Sequence, residues 1–171
     1  MTGTVEALTV VARVRAGEAD AAREAIARWW AAGPSPFAAV PGTHLARLQV
    51  LRPPRRRWGR GPADYVLLAA DVDPPLDAWL AGLCARAGPA VDAVLSHCAR
   101  YPGASDPAAF ARWIAANRLA VGFSVVADAR STVTETAAAL ALHRRLGAFA
   151  QRVQGLGPGD LHAAWRAEFG E

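Results

Sequence analysis

In residues 7–15, Leu8, Val10, Ala12 and Val14 fall on one side of an extended chain and Thr9, Val11, Arg13 and Arg15 on the other. That period of two, in β-branched residues, predicts a strand. From Glu18 to about Ala32 the period lengthens: Ala22, Ile26 and Trp29 or Trp30 recur at helical spacing until Gly33-Pro34 stops them, which predicts a helix. Alternation returns in Thr43–Leu51 and again in Tyr65–Asp73, two stretches expected to pair as an antiparallel hairpin. Asp73 before Pro74-Pro75 reads as a helix cap with proline in the first turn, followed by the apolar stripe Leu76, Trp79, Leu80 and Leu83. Gly88-Pro89 is expected to break this helix, and a second piece runs from Val91 to about Ala99. Asp106-Pro107 starts another helix through Phe110, Trp113 and Ile114 to about Arg118. Leu119–Ala127 alternates as a fourth strand. The capping box Thr132-x-x-Glu135 opens a last long helix whose stripe, Leu142, Leu146, Phe149 and Val153, is expected to face the core.

The resulting order, β-α-β-β-α-(α)-β-α, predicts an α+β fold of the ferredoxin-like split-βαβ kind. It has a four-stranded antiparallel sheet with helices on one face, an added helical insertion over 104–118 and a C-terminal helix. Residues 1–154 are expected to form one domain and 155–171 a loosely attached tail. If Leu51 opposes Tyr65, then Leu48, Val50, Val66, Leu68, Ala70 and Val72 face the helices. The opposite face carries Arg47, Gln49, Tyr65, Asp71 and Asp73, joined by Thr9 and Arg13. That face is too apolar for solvent and too polar for a core, as expected where two sheets enclose a ligand cavity. It predicts a homodimer that binds a small hydrophobic molecule.

Composition narrows the picture. The chain has 171 residues, 53% hydrophobic and 20% charged, enough for a sizeable core and incompatible with a disordered chain. No apolar run approaches a membrane span, and the opening MTGTVEALTV lacks the features of a secretory signal. A cytoplasmic bacterial protein with no membrane partner is expected. Two cysteines, Cys84 and Cys98, make neither a disulfide framework nor a zinc site. Net charge is +4, and arginine supplies all 19 basic residues. The dense basic run, Arg52 to Arg60, is broken by proline and glycine and reads as a hairpin loop, so no nucleic-acid partner is expected.

Three short segments stand out: His44-Leu-Ala-Arg47, Asp71-Val-Asp73, and His97-Cys-Ala-Arg-Tyr-Pro-Gly103. Together they resemble a group of bacterial proteins with His-Phe-Ala-Arg, Asp-Phe-Asp-Gly and His-Cys-x-Gly-Tyr-Pro segments, members of the dimeric α/β-barrel superfamily. Leu45 and Val72 stand where that pattern has phenylalanine, and Pro74 and Arg100 where it has glycine. The superfamily includes cofactor-free monooxygenases and cyclases of secondary metabolism, dye-decolourising peroxidases, chlorite dismutases and haem-degrading enzymes. The resemblance therefore implies a dimeric barrel more firmly than any one reaction.

Within that frame Arg47 and Asp71, diagonal neighbours across the hairpin, are the first catalytic candidates. Asp71 has no local capping role, and a carboxylate on an apolar wall acts as a base or orients a hydroxyl. His97 and Tyr101 are the secondary acid–base pair, with Arg13, Gln49 and Tyr65 as substrate-binding residues. A helix-terminal histidine beside a structural cysteine is the preferred reading of His97 and Cys98 over the catalytic one. His44, by strand parity, points to the helices. The expected chemistry is oxidation, cyclisation or proton transfer without a cofactor and without a metal. A haem enzyme using His143 as axial ligand, with Arg144 and Arg145 toward the propionates, is the first alternative. A non-catalytic partner-binding protein is the second.

Overall fold

The computed structural model describes residues 5–52, 63–122 and 131–170. Strands β1 (Glu6–Arg13), β2 (Thr43–Leu51), β3 (Tyr65–Val72) and β4 (Arg118–Leu119) form one antiparallel sheet in the order β2-β3-β1-β4. Helices α1 (Ala19–Ala32), α2 (Leu76–Leu95) and α3 (Pro107–Asn117) accompany it, with a short 3-10 turn at Pro36–Ala39. This strand order is compatible with a ferredoxin-like fold. The expected fourth strand is seen only in its first paired residues, and 123–127 lie outside the described residues, as does 53–60 of the basic run.

The register is the one expected from the pattern. Leu51 pairs with Tyr65, and Tyr65 with Arg13. Leu8, Val10, Ala12, Val66, Leu68, Ala70 and Val72 are consequently all buried on the helix side. There they meet Leu76, Trp79, Leu80 and Leu83 of α2 and Phe110 and Ile114 of α3 in a single core. Removing a side chain of this size from water contributes roughly 1.5–3 kcal/mol, so this face fixes the fold.

Three expectations change. Gly88-Pro89 does not break α2, which runs unbroken through 20 residues. Pro89 and Ala85, whose carbonyl loses its helical donor, both lie on the solvent-exposed side, while Leu83, Ala87, Val91 and Val94 hold the buried side. Nor is α3 an ornament, since Phe110, Trp113 and Ile114 are core residues. Asp73 does not cap α2. Glu6 of β1 accepts the Leu76 N–H instead, at 3.2 Å. With mean hydropathy 1.2, α2 is also long and apolar enough by composition alone to cross a membrane, which the sequence pattern had not indicated, but its apolar side is part of the core.

The chain divides into two compact units, 1–133 and 134–171. The second unit contains helix α5 (Pro158–Phe169), within the segment expected to be a tail, which follows α4 (Val133–Arg152). In the second unit Phe149 is buried against Trp165 and Phe169, with ring centroids 5.6 and 5.3 Å away. Arg145 and Arg152 both pair with Glu168, and their hydrogen bonds hold its carboxyl below the usual range. Of the stripe expected to face the core, Phe149 is buried, whereas Leu142 and Leu146 remain exposed.

Candidate functional site

The sheet face turned away from α1–α3 is ordered in rows across the strands. Leu45, Asp71 and Ala7 form one row; Arg47, Ala69, Thr9 and Leu119 the next; then Gln49, Leu67 and Val11; then Leu51, Tyr65 and Arg13. Apart from Leu45, Arg47, Arg13 and Leu119, these side chains are half-buried. Arg47 and Asp71 sit one diagonal step apart, as parity predicted, but form no ion pair. Among the described residues neither side chain has a hydrogen-bond partner. An arginine and a carboxylate held close without satisfying each other leave their bonding capacity for a third group.

His44 does not join the helix side as expected. Pairing slips between Thr43 and Leu45, and His44 is the extra residue of that β-bulge. Its Nε2 meets Asp73 Oδ1 at 2.7 Å, and the same oxygen accepts the Val133 N–H at 2.9 Å. Gly42, at φ +78°, makes the close approach possible: a Cβ there would lie 3.0 Å from that of Asp73. Thr43, directed inward by the same bulge, accepts a hydrogen bond from Trp79 Nε1 at 2.9 Å.

His97 belongs to the opposite end of the sheet. Its Nδ1 meets Glu18 Oε2 at 2.7 Å, and its carbonyl accepts the Arg15 N–H. Glu18, the residue before α1, gives its carboxylate to His97 rather than capping the helix. The His97 hydrogen bond, helped by the nearby Arg15, holds the Glu18 carboxyl below its ordinary range. Arg15 lies eight positions along the extended chain from Ala7, the partner of Asp71, roughly 26 Å. His97 and Asp71 therefore do not share a site.

Tyr101 packs among core residues, edge-on to Phe110 and Trp113. Its hydroxyl donates to Asp92 Oδ1 at 2.7 Å, and the same oxygen accepts the Ala104 N–H at 2.8 Å. Burial, reinforced by Asp92, drives the phenol well above its usual pKa. A phenol so placed neither gives nor takes a proton near neutral pH. Burial also pushes the Cys98 thiol up to about 12. Cys98 should accordingly resist iodoacetamide at pH 8 in the folded protein and react once urea unfolds it, as read by mass spectrometry. Rapid labelling of the native protein would contradict its burial.

The proposed four-residue catalytic set thus separates: Arg47 and Asp71 share a face, while His97 and Tyr101 have partners elsewhere. Gln49, Tyr65 and Arg13 do lie on the Arg47 face. His143 is an exposed residue of α4. Among the described residues no group of three or more His, Cys, Asp and Glu side chains is placed to hold a metal.

Sequence reasoning missed Glu18 and Asp92, whose partners are 79 and 9 residues away in the chain. It also missed a cleft of about 330 Å³ along edge strand β2, between that strand, the end of α1 and the 3-10 turn. The adjacent Trp29-Trp30 pair was the available signal. Comparison with family models, curated proteins and solved structures returns no match for this chain.

Proposed function

We propose that two copies of this chain pack sheet to sheet, as dimeric α/β barrels do, and that the chamber between them binds and tailors a small hydrophobic or aromatic molecule. The observation that carries this reading is the pair Arg47 and Asp71, both without partners among the described residues, on a face where Val11, Leu67, Ala69 and Leu45 lie beside the polar Thr9, Gln49, Tyr65 and Arg13. An apolar wall supplies burial, and a few polar groups set orientation. Arg47 would polarise an oxygen of the ligand while Asp71 accepts a proton from a ligand hydroxyl, the opening step of a cyclisation or, with dioxygen taking the ligand's electrons, of a cofactor-independent oxidation.

Sedimentation equilibrium tests the assembly. The expected mass is twice the 18.0 kDa of one chain. Leu67→Arg, which puts a charge in the middle of the face, should give a folded monomer. Calorimetry with 1,8-dihydroxyanthraquinone tests the chamber. The dimer should bind it, Leu67→Arg should not, and Arg47→Gln with Asp71→Asn should weaken it by about tenfold or more, a ratio equivalent to ~1.4 kcal/mol. A wild-type monomer, or a double variant with unchanged affinity, overturns the reading.

A further inference from the structure

The cleft beside β2 has a composition that the sheet face does not explain. Its walls are Ile26, Trp29 and Trp30 of α1, Phe37 of the 3-10 turn, and Arg47 and Leu48 of the strand. Trp29 is fixed, edge-on to Phe37 with centroids 5.8 Å apart, and Phe37 stacks in turn on the core residue Trp79 at 6.4 Å. Trp30, by contrast, is 91% exposed. One wall is thus rigid and continuous with the core. At its rim stands an indole with almost its whole surface in water, apolar area that a bound ring would cover.

Charge decides what kind of ring. Among the described residues Arg47 is the cleft's charged residue, and no carboxylate lines it. Its guanidinium has no acidic or carbonyl partner among the described residues. A planar fork of donors beside aromatic walls suits a bidentate anion, and carboxylate matches it in shape as well as charge. The volume lies at the low end of the small-molecule range, which limits the occupant to one or two rings.

We infer that this cleft is a binding site for a small aromatic carboxylate, with the ring against Trp29 and Phe37, Trp30 at its rim and the carboxylate on Arg47. Arg47 stands on the edge strand and borders both this cleft and the sheet face. The cleft itself is built within one chain, so the site requires neither the second copy nor the chamber.

The probe is 2-naphthoate, followed by tryptophan fluorescence and calorimetry, with neutral 2-naphthalenemethanol as its comparison. The carboxylate should bind at one site per chain, and the alcohol about tenfold or more weakly. Trp30→Ala, which alters an exposed side chain and leaves the fold intact by circular dichroism, should lower naphthoate affinity by about tenfold or more. Arg47→Gln should remove the preference for carboxylate over alcohol while leaving alcohol binding unchanged. The monomeric Leu67→Arg variant should bind naphthoate as the wild type does, whatever becomes of the dimeric chamber. Undiminished binding by Trp30→Ala, an unchanged carboxylate preference in Arg47→Gln, or loss of binding in Leu67→Arg would each overturn the assignment. The last result would move the ligand to the sheet face.

Discussion

Phe110→Ala should destabilise the first unit by about 4 kcal/mol, within the usual cost of about 3–5 kcal/mol for truncating a buried phenylalanine. Phe110 is 0% exposed, and its ring lies against Tyr101 at 6.2 Å. Alanine would leave a void walled by residues that other contacts hold in place. Trp113 is tied to the Ala99 carbonyl through Nε1 at 3.1 Å, and Ile114 is buried beside it in the core. Collapse into the void would break those arrangements, so little relaxation is expected. Urea denaturation of wild type and variant, compared at equal slope, gives the difference directly. A loss below about 1 kcal/mol would mean that α3 is dispensable, as a surface insertion would be.

That segment also shows what a single chain's pattern conveys. Asp106-Pro107 marked where α3 begins, and its capping bond to Ala109 N is present at 2.9 Å. Periodicity described an apolar stripe but could not say which surface it would meet. For strands the information is stronger, because a period of two ties every residue to one of two faces. Once the hairpin ends at Leu51 and Tyr65 were matched, the faces of Arg47, Gln49, Leu68 and Asp71 followed. His44 escaped that logic. A bulge breaks the parity locally, and what permits it is the close approach of Gly42 to Asp73, a contact between residues far apart in sequence.

The same limit governed the candidate site. His97 and Tyr101 are four positions apart, and proximity along the chain suggested a joint role. The chain between them turns through Arg100, at φ +56°, so the two side chains part company. One reaches back to Glu18, the other inward to Asp92. Proline gave a comparable lesson. Pro89 signals a helix break from local chemistry alone, yet the buried residues on both sides of it keep α2 continuous. Long-range packing outweighs a local cost of about 3 kcal/mol when the proline ring points to solvent.

Asp92→Ala is expected to cost about 3 kcal/mol, and Tyr101→Phe about half as much. Asp92 Oδ1 accepts from both the Tyr101 hydroxyl and the Ala104 N–H, so its removal orphans two donors in a half-buried setting. Tyr101→Phe removes one of those donors and keeps the ring packed on Phe110 and Trp113, which limits its cost. Alkaline titration separates the two contributions further. The folded Tyr101 phenol titrates above its unfolded value of 10.0. The resulting stabilisation is therefore complete below about pH 10 and is lost as pH rises through the folded value. In a Tyr65→Phe background, where Tyr101 is the remaining tyrosine, tyrosinate absorbance should appear together with alkaline unfolding. Adding Tyr101→Phe should flatten that part of the stability profile. Adding Asp92→Ala should lower the phenol pKa without restoring it, because burial, the larger cause, remains. A Tyr101→Phe protein as stable as its parent, with an unchanged alkaline profile, would show that the bond to Asp92 does not anchor this part of the core and would return Tyr101 to the candidates for chemistry.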